Sequence, residues 1–200
     1  MFRLGLTGSI ATGKSTVLEA FKALGAQIYS ADQAVHDLYE GEAVGPVSEA
    51  FPGTFREGKI DRTALSAQLV GHPERISQLE SIVHPLVRRR MRAFSDEAAA
   101  SGAAIAVFDI PLLYETGQGS DFDAVAVTFC DEQEQRRRAL LRPAMTDEKL
   151  QTILSRQWSQ DQKRAAADFA IDTNQSFAAV EQQVANIFRA CTEMKTSDDS

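Results

Sequence analysis

The stretch Gly8-Ser9-Ile10-Ala11-Thr12-Gly13-Lys14-Ser15-Thr16 decides how this chain is read. It fits G-x-x-x-x-G-K-[ST], a loop that wraps phosphates in backbone N–H groups, brings a lysine to the β/γ oxygens and offers a hydroxyl to Mg²⁺. Its glycines allow positive φ and leave room for phosphate where a Cβ would clash. A helix beginning near Gly13 adds unpaired N–H groups and the positive end of its dipole. The surroundings suit the motif. Residues 2–7 read as a short apolar strand. Val17, Leu18, Phe21 and Leu24 recur at helical spacing, and Gly25 ends the helix. The alternative, an ordinary glycine-rich turn with a solvated lysine, has no need of a strand before it and a helix after it.

Moving outward, residues 26–29 read as a second strand, ending in Ser30-Ala31-Asp32, with a helix following through Val35, Leu38 and Tyr39. Gly41, Gly45, Pro46, Pro52, Gly53 and Gly58 break residues 40–60 into short pieces. Asp61 is placed to cap a helix through Leu65 and Leu69. Pro73 opens a longer helix, with Ile76, Leu79, Val83, Leu86, Val87, Met91 and Phe94 on one stripe. Residues 103–108 and 123–129 are continuous apolar runs, as strands buried on both faces of a parallel sheet should be. Two charged helical segments, 131–142 and 147–163, flank Pro143. Residues 169–171 make a last strand, Phe177, Val180, Val184, Ile187 and Phe188 a last helix, and residues 195–200 a frayed polar tail.

Five strands alternating with helices imply an α/β fold, a five-stranded parallel, doubly wound sheet flanked by helices. The helical stretch between the second and third strands exceeds a simple crossover and is a candidate substrate-binding subdomain. The charged helices at 131–163 are a candidate lid. The expected layout is one domain with its core at 1–32, 103–130 and 164–194, the substrate subdomain at 33–102 and the tail at 195–200.

Composition narrows the partners. The 200 residues are 44% hydrophobic and 24% charged, an ordinary globular balance. A net charge of −7 argues against broad nucleic-acid binding, while leaving room for a local basic pocket. No stretch approaches the length of a membrane span, and the N-terminus lacks a signal peptide's layout, so a cytoplasmic location is expected. Cys130 and Cys191 have no metal-ligand spacing and are expected to be reduced thiols, Cys130 buried. Nothing points beyond a monomer or a weak homo-oligomer.

In open parallel sheets, ligands bind beyond the carboxyl ends of the strands. The phosphate loop follows the first strand, Asp32 the second and Asp109 the third. Asp32 suits a general base that orients and deprotonates an acceptor hydroxyl; its alternative role is to cap the next helix. Asp109 is placed to hold Mg²⁺, directly or through water; its alternative is to cap the turn before Pro111. Arg136, Arg137, Arg138 and Arg142 lie in the candidate lid, with Arg138 and Arg142 one turn apart on one helix face. Arginines closing over phosphates supply charge neutralisation, although a run of charge is more often a solvated face. Arg88, Arg89, Arg90 and Arg92 favour the solvated-face reading.

Taken together these residues resemble the dephospho-coenzyme A kinase family, from Leu4 to about Val184. The opening Leu6-Thr7-Gly8 through Thr16 looks like the family's start. Tyr29-Ser30-Ala31-Asp32 is similar to its second-strand signature, and Gly58-Lys59-Ile60-Asp61-Arg62-Thr63-Ala64-Leu65 and His84-Pro85-Leu86 to segments of its substrate subdomain. Pro111-Leu112-Leu113-Tyr114-Glu115 matches its Pro-Leu-Leu-x-Glu, and Gln157, Lys163, Ala167-Asp168 and Ile171-Asp172 its closing pattern. Ser9 and Ala11 stand where the family often has glycine. Pro143-Ala144 and Gln175 also depart from the common pattern.

The resemblance implies a P-loop kinase core, with ATP and Mg²⁺ as the phosphoryl donor and the 3′-hydroxyl of dephospho-coenzyme A as acceptor. It implies Gly8, Ala11, Thr12, Gly13, Lys14, Ser15 and Thr16 around the nucleotide, and Ser15 and Asp109 on the metal. Asp32, Lys14, Arg138 and Arg142 are then the catalytic residues. Asp32, Arg62, His84, Leu112 and Glu115 are then the substrate contacts, with a structural role for His84 as its alternative. The nearest rivals are another small-molecule P-loop kinase, such as a nucleoside monophosphate or shikimate-type kinase, and a GTP switch. The chain lacks Asn-Lys-x-Asp for guanine and has no glycine three residues after Asp109.

Overall fold

The computed structural model describes residues 1–198. The chain runs through β1 (Phe2–Gly8), α1 (Lys14–Ala23), β2 (Gln27–Ser30), α2 (Ala31–Tyr39), α3 (Val44–Ala50), β3 (Phe55–Arg56), β4 (Lys59–Ile60), α4 (Arg62–Leu69) and α5 (Pro73–Ala100). It continues through β5 (Ile105–Asp109), β6 (Ala124–Phe129), α6 (Glu132–Leu140), α7 (Asp147–Leu154), α8 (Gln160–Ala166), β7 (Phe169–Asp172) and α9 (Phe177–Asp198). It divides into two compact units, Met1–Tyr29 with Glu97 onward, and Ser30–Asp96.

The first unit is built on a five-stranded sheet in the order β2-β5-β1-β6-β7. β1 is central and pairs in parallel with β5 and β6, and β6 in parallel with β7. Leu4 and Leu6 of β1 are fully buried, as are Ile105 and Val107 of β5 and Ala126 of β6. α1 and α9 close over the sheet with Val17, Phe21, Val184 and Cys191, all at 0% exposure. Each such large apolar side chain contributes about 1.5–3 kcal/mol when fully buried. The register places Leu6 beside both Asp109 and Ala126, so β5 ends at the level of Leu6 while β1 and β6 run on together to Gly8 and Thr128. The expected five parallel strands are present. Asp109 is itself the last residue of β5 rather than a residue after it.

The second unit has its own core: Leu38, Ala43, Val47 and Phe51 at 0% exposure, with Ile60, Leu65 and Val83. Residues 40–60 are more ordered than their glycines and prolines imply. Gly45 and Pro46 fall in the first turn of α3, where a missing N–H costs nothing. β3 and β4 form a two-residue hairpin whose Glu57 (φ 50°) and Gly58 (φ 84°) both take positive φ, as a type I′ turn demands. Asp61 caps α4 as expected, accepting from the N–H groups of Thr63 and Ala64.

Two further expectations are corrected. The segment 147–163 is two helices, because Ser159 and Gln162 form a capping box that starts α8 afresh. The tail is helical where it is described, since α9 runs to Asp198; residues 199 and 200 lie outside the described residues. Among the described residues no helix is long and apolar enough to cross a membrane.

Candidate active site

The loop from Gly8 to Gly13 is shaped by contacts from distant strands. A Cβ at Gly8 would lie 2.2 Å from Thr128 Oγ1 and 2.7 Å from Thr12 Oγ1, so only glycine fits where β1 passes β6. Thr12 Oγ1 lies 2.8 Å from Ser9 O and 2.8 Å from Thr128 Oγ1. A hydroxyl has one proton, so when Thr12 donates to Ser9 O it accepts from Thr128. Gly13 takes φ 84°, and a Cβ there would meet Thr173 at 3.0 Å. Gly13 opens α1, and no side chain caps that helix. Its first N–H groups have no intrahelical acceptor and face an anion-binding position.

Thr173, just past β7, ties this loop to α6. Its hydroxyl lies 2.9 Å from Thr12 O and 3.1 Å from Phe129 O. Arg138 donates to Thr173 Oγ1 at 3.0 Å, to Thr173 O at 2.8 Å and to Glu134 Oε1 at 2.7 Å. Arg138 is therefore fixed beside the phosphate loop. Arg137 and Arg138 together hold the Glu134 carboxyl down at about 2, Arg137 by the stronger hydrogen bonding. Arg136 pairs with Asp147 at 2.8 Å. Arg142 is exposed and makes no ion pair among the described residues; α6 ends at Leu140, so Arg142 lies past it and not on one helix face with Arg138 as expected.

Lys14 pairs with Asp109 Oδ1, the two side chains being 18% and 12% exposed. The Asp109 carboxylate thus turns to the phosphate-loop lysine rather than capping the turn before Pro111. Ser15 is exposed at the start of α1. Ala11 takes φ 62°, the left-handed conformation that costs a non-glycine residue about 1–2 kcal/mol. Its methyl, buried with Ala139 and Leu150, returns about 0.8 kcal/mol.

Glu115 is engaged within the first unit. Its Oε1 accepts from the Trp158 N–H at 2.7 Å and from Lys163 Nζ at 2.9 Å, and its Oε2 is buried without a partner. Lys163 is fully buried and also donates to Pro111 O at 3.2 Å. Burial pulls its ammonium below the usual lysine range against the pull of Glu115. Tyr114 stacks on Trp158 at 5.3 Å, while Leu112 is 40% exposed. A cleft of about 860 Å³ is walled by α6, α7 and α8. It touches the loop at Ser9, and neither Lys14 nor Asp109 lines it. Cys130 and Cys191 are free and buried, and burial raises both thiols, Cys191 to about 12.

In the second unit, the α2 cap is Ser30, whose side chain accepts from the Gln33 N–H. Asp32 lies exposed in the first turn and has no hydrogen bond or ion pair among the described residues. The capping alternative for Asp32 is thus filled by Ser30. A cavity of about 400 Å³ is lined by Tyr39, Arg56, Lys59, Asp61 and Arg62. Burial raises the Tyr39 phenol, and Arg62 partly offsets it. His84 is exposed on α5, one residue before the in-helix Pro85, and is not packed in the apolar stripe. Arg89 pairs with Glu42, and Arg90 with Glu42 at 3.3 Å.

The sequence reading missed Thr128, Thr173 and Gln135. Thr128 interrupts an otherwise apolar strand, which was a usable signal. Thr173 and Gln135 carry no local signal, because their partners are remote in the chain.

The profile of the dephospho-CoA kinase family matches residues 2–179. A dephospho-CoA kinase from Rhizobium meliloti is 48% identical over 92% of this chain and 95% of its own length. One from Rhodopseudomonas palustris is 46% identical over the whole of both chains. A solved structure of dephospho-CoA kinase from Campylobacter jejuni superposes with a TM-score of 0.73 at 25% identity, covering 96% of this chain and 98% of that one. With a phosphate loop on the sheet's central strand and a family profile that spans most of its length, the chain belongs to the dephospho-CoA kinase family.

Proposed function

We propose that this protein transfers the γ-phosphoryl group of ATP to the 3′-hydroxyl of dephospho-CoA, giving CoA. The observation that carries the reading is the uncapped, glycine-gated loop at the end of β1, with Lys14 and Asp109 joined at its rim. The N–H groups at the start of α1 take the phosphates, and Lys14 exchanges Asp109 for the β/γ oxygens. Its charge then matters most as the phosphoryl group passes between oxygens.

The residues present fit a magnesium ion carried by the nucleotide. Ser15 offers a hydroxyl beside the loop and Asp109 a carboxylate, and Mg²⁺ typically takes one or two protein ligands with phosphates and water. Among the described residues no cluster of three or more His, Cys, Asp or Glu is placed to hold a metal without nucleotide. When bound, the ion neutralises charge on the phosphate oxygens.

Asp32 accepts the proton of the acceptor hydroxyl; its carboxylate is exposed and unengaged, as a base awaiting substrate must be. Arg142 adds charge over the phosphates, and Arg138 braces the loop through Thr173. Arg62, His84, Leu112 and Glu115 make up the acceptor's surroundings, Glu115 chiefly by holding the turn that carries Leu112. An assay of ADP release, with and without dephospho-CoA, tests the reading together with Asp32→Asn. Release should depend on dephospho-CoA, and Asp32→Asn should depress turnover while sparing ATP binding. A collapse of ATP affinity in that variant would instead make Asp32 an organiser of the nucleotide site.

A further inference from the structure

Both peptide groups around Ile10 are held from outside the phosphate loop. The Ile10 N–H donates to Gln157 Oε1 at 3.0 Å, and Ile10 O accepts from Gln135 Nε2 at 2.8 Å. Gln135 lies on α6 and is only 5% exposed. Its own oxygen accepts from Gln160 Nε2 at 3.0 Å, and Gln160 Oε1 accepts from the Cys130 N–H at 2.9 Å. The amides therefore run in one direction, Cys130 to Gln160 to Gln135 to Ile10. Each accepts at its oxygen and donates at its nitrogen, and a flip of Gln135 would break both of its bonds.

Ile10 O and the Ala11 N–H belong to one trans peptide and point in opposite directions. Gln135, by holding the carbonyl, turns the Ala11 N–H away from α6. The orientation of the same plane sets φ at Ala11, which stands at 62°. A glycine would rest there at no steric cost; an alanine must be held. Rotating the plane would relax Ala11, reverse its N–H and present a carbonyl oxygen in its place, leaving Gln135 without an acceptor.

We propose that Gln135, aided by Gln157, is a positioning clamp that keeps the Ile10–Ala11 peptide in its phosphate-accepting orientation. This chain depends on the clamp because residue 11 is alanine. The inference rests on the reading of this loop as the nucleotide site. Neither glutamine touches the reacting atoms. Their effect is preorganisation, so it falls on nucleotide affinity more than on the chemical step.

The test is calorimetric titration with ADP and Mg²⁺, which needs no acceptor, alongside KM for ATP and kcat. Gln135→Met, similar in volume and unable to donate, should weaken ADP binding about tenfold, equivalent to about 1.4 kcal/mol. KM for ATP should rise with it and kcat should change less. In the Ala11→Gly background, Gln135→Met should weaken ADP binding less than threefold. Unchanged ADP affinity in Gln135→Met overturns the clamp, and so does an equal loss with and without Ala11→Gly. If Gln135→Met does not fold, Gln157→Met, at a partly exposed position, decides the same question. It should weaken ADP binding at least threefold, and Ala11→Gly should again suppress the loss. A parent chain that binds ADP but leaves dephospho-CoA unmodified refutes the acceptor and still lets binding decide the clamp. A parent chain that does not bind ADP overturns both.

Discussion

Around the phosphate loop, polar side chains reach far along the chain to hold one short stretch of backbone. Thr12 meets Thr128 across 116 residues of sequence, and Thr173 reaches back 161 residues to Thr12 O. In Ser30–Asp96 the pattern is different. An apolar cluster around Leu38 and Phe51 supplies the core, and many charged side chains are exposed, some in ion pairs at the surface such as Glu42 with Arg89. The first region is specified by hydrogen bonds and close approaches such as that of Gly8 to Thr128. The stability of the second is specified by buried apolar volume, and its exposed ion pairs should be replaceable at little cost to folding.

The sharpest way to break this contrast is to remove the loop's charge. Lys14→Ala should lower kcat at least 100-fold, the scale expected for a group that stabilises transition-state charge, with little change in overall stability. Comparable kinetics would strip Lys14 of its role. Next in size is the core of the second unit. Leu38→Ala deletes a fully buried side chain and should cost about 2–5 kcal/mol in urea unfolding. A loss under 1 kcal/mol would mean that this cluster is not what holds the unit together.

Thr173→Val probes the loop's polar specification at nearly constant volume. It takes an acceptor from Arg138 and a donor from Thr12 O or Phe129 O, and should cost about 1–3 kcal/mol of stability with a fall in kcat. By contrast, Arg89→Ala on the exposed face of α5 should stay within about 0.5 kcal/mol. A larger loss there would erase the distinction between the two regions.

The smallest effect is one of pH. The folded-state Glu134 value of about 2 lies below its ordinary 4.5, so its contribution is fully present above pH 4.5. That contribution is lost as pH falls through about 2. Glu134→Gln should therefore flatten the acid limb of a stability–pH curve by lowering stability above pH 4.5, leaving it nearly unchanged below about pH 2. An unchanged limb would mean that Arg137 and Arg138 do not act on this carboxylate in solution.

What the sequence made legible follows the same division. The phosphate loop could be read at once because its chemistry sits in nine consecutive residues. The sheet could be read because β5 and β6 are unbroken apolar runs between polar turns. The hairpin at Phe55–Ile60 was hidden because its strands are two residues each and its turn hangs on the positive φ of Glu57, which nothing local announces. The break before α8 was written in Ser159 and Gln162 but outweighed by the helix-forming residues around it. Arg138 drew attention by its charge, yet its fixed place depends on Thr173, a partner that only the fold brings near. The same holds for Gln135, which reads as one more polar residue of a charged helix and is in fact buried against the loop.

The most direct test of the central claim is mass spectrometry of dephospho-CoA incubated with ATP, Mg²⁺ and the purified protein. Dephospho-CoA should become heavier by one phosphate, only when all components are present, and the gain should be lost with Lys14→Ala. Unmodified dephospho-CoA, in the presence of a protein that still binds ATP, would contradict it.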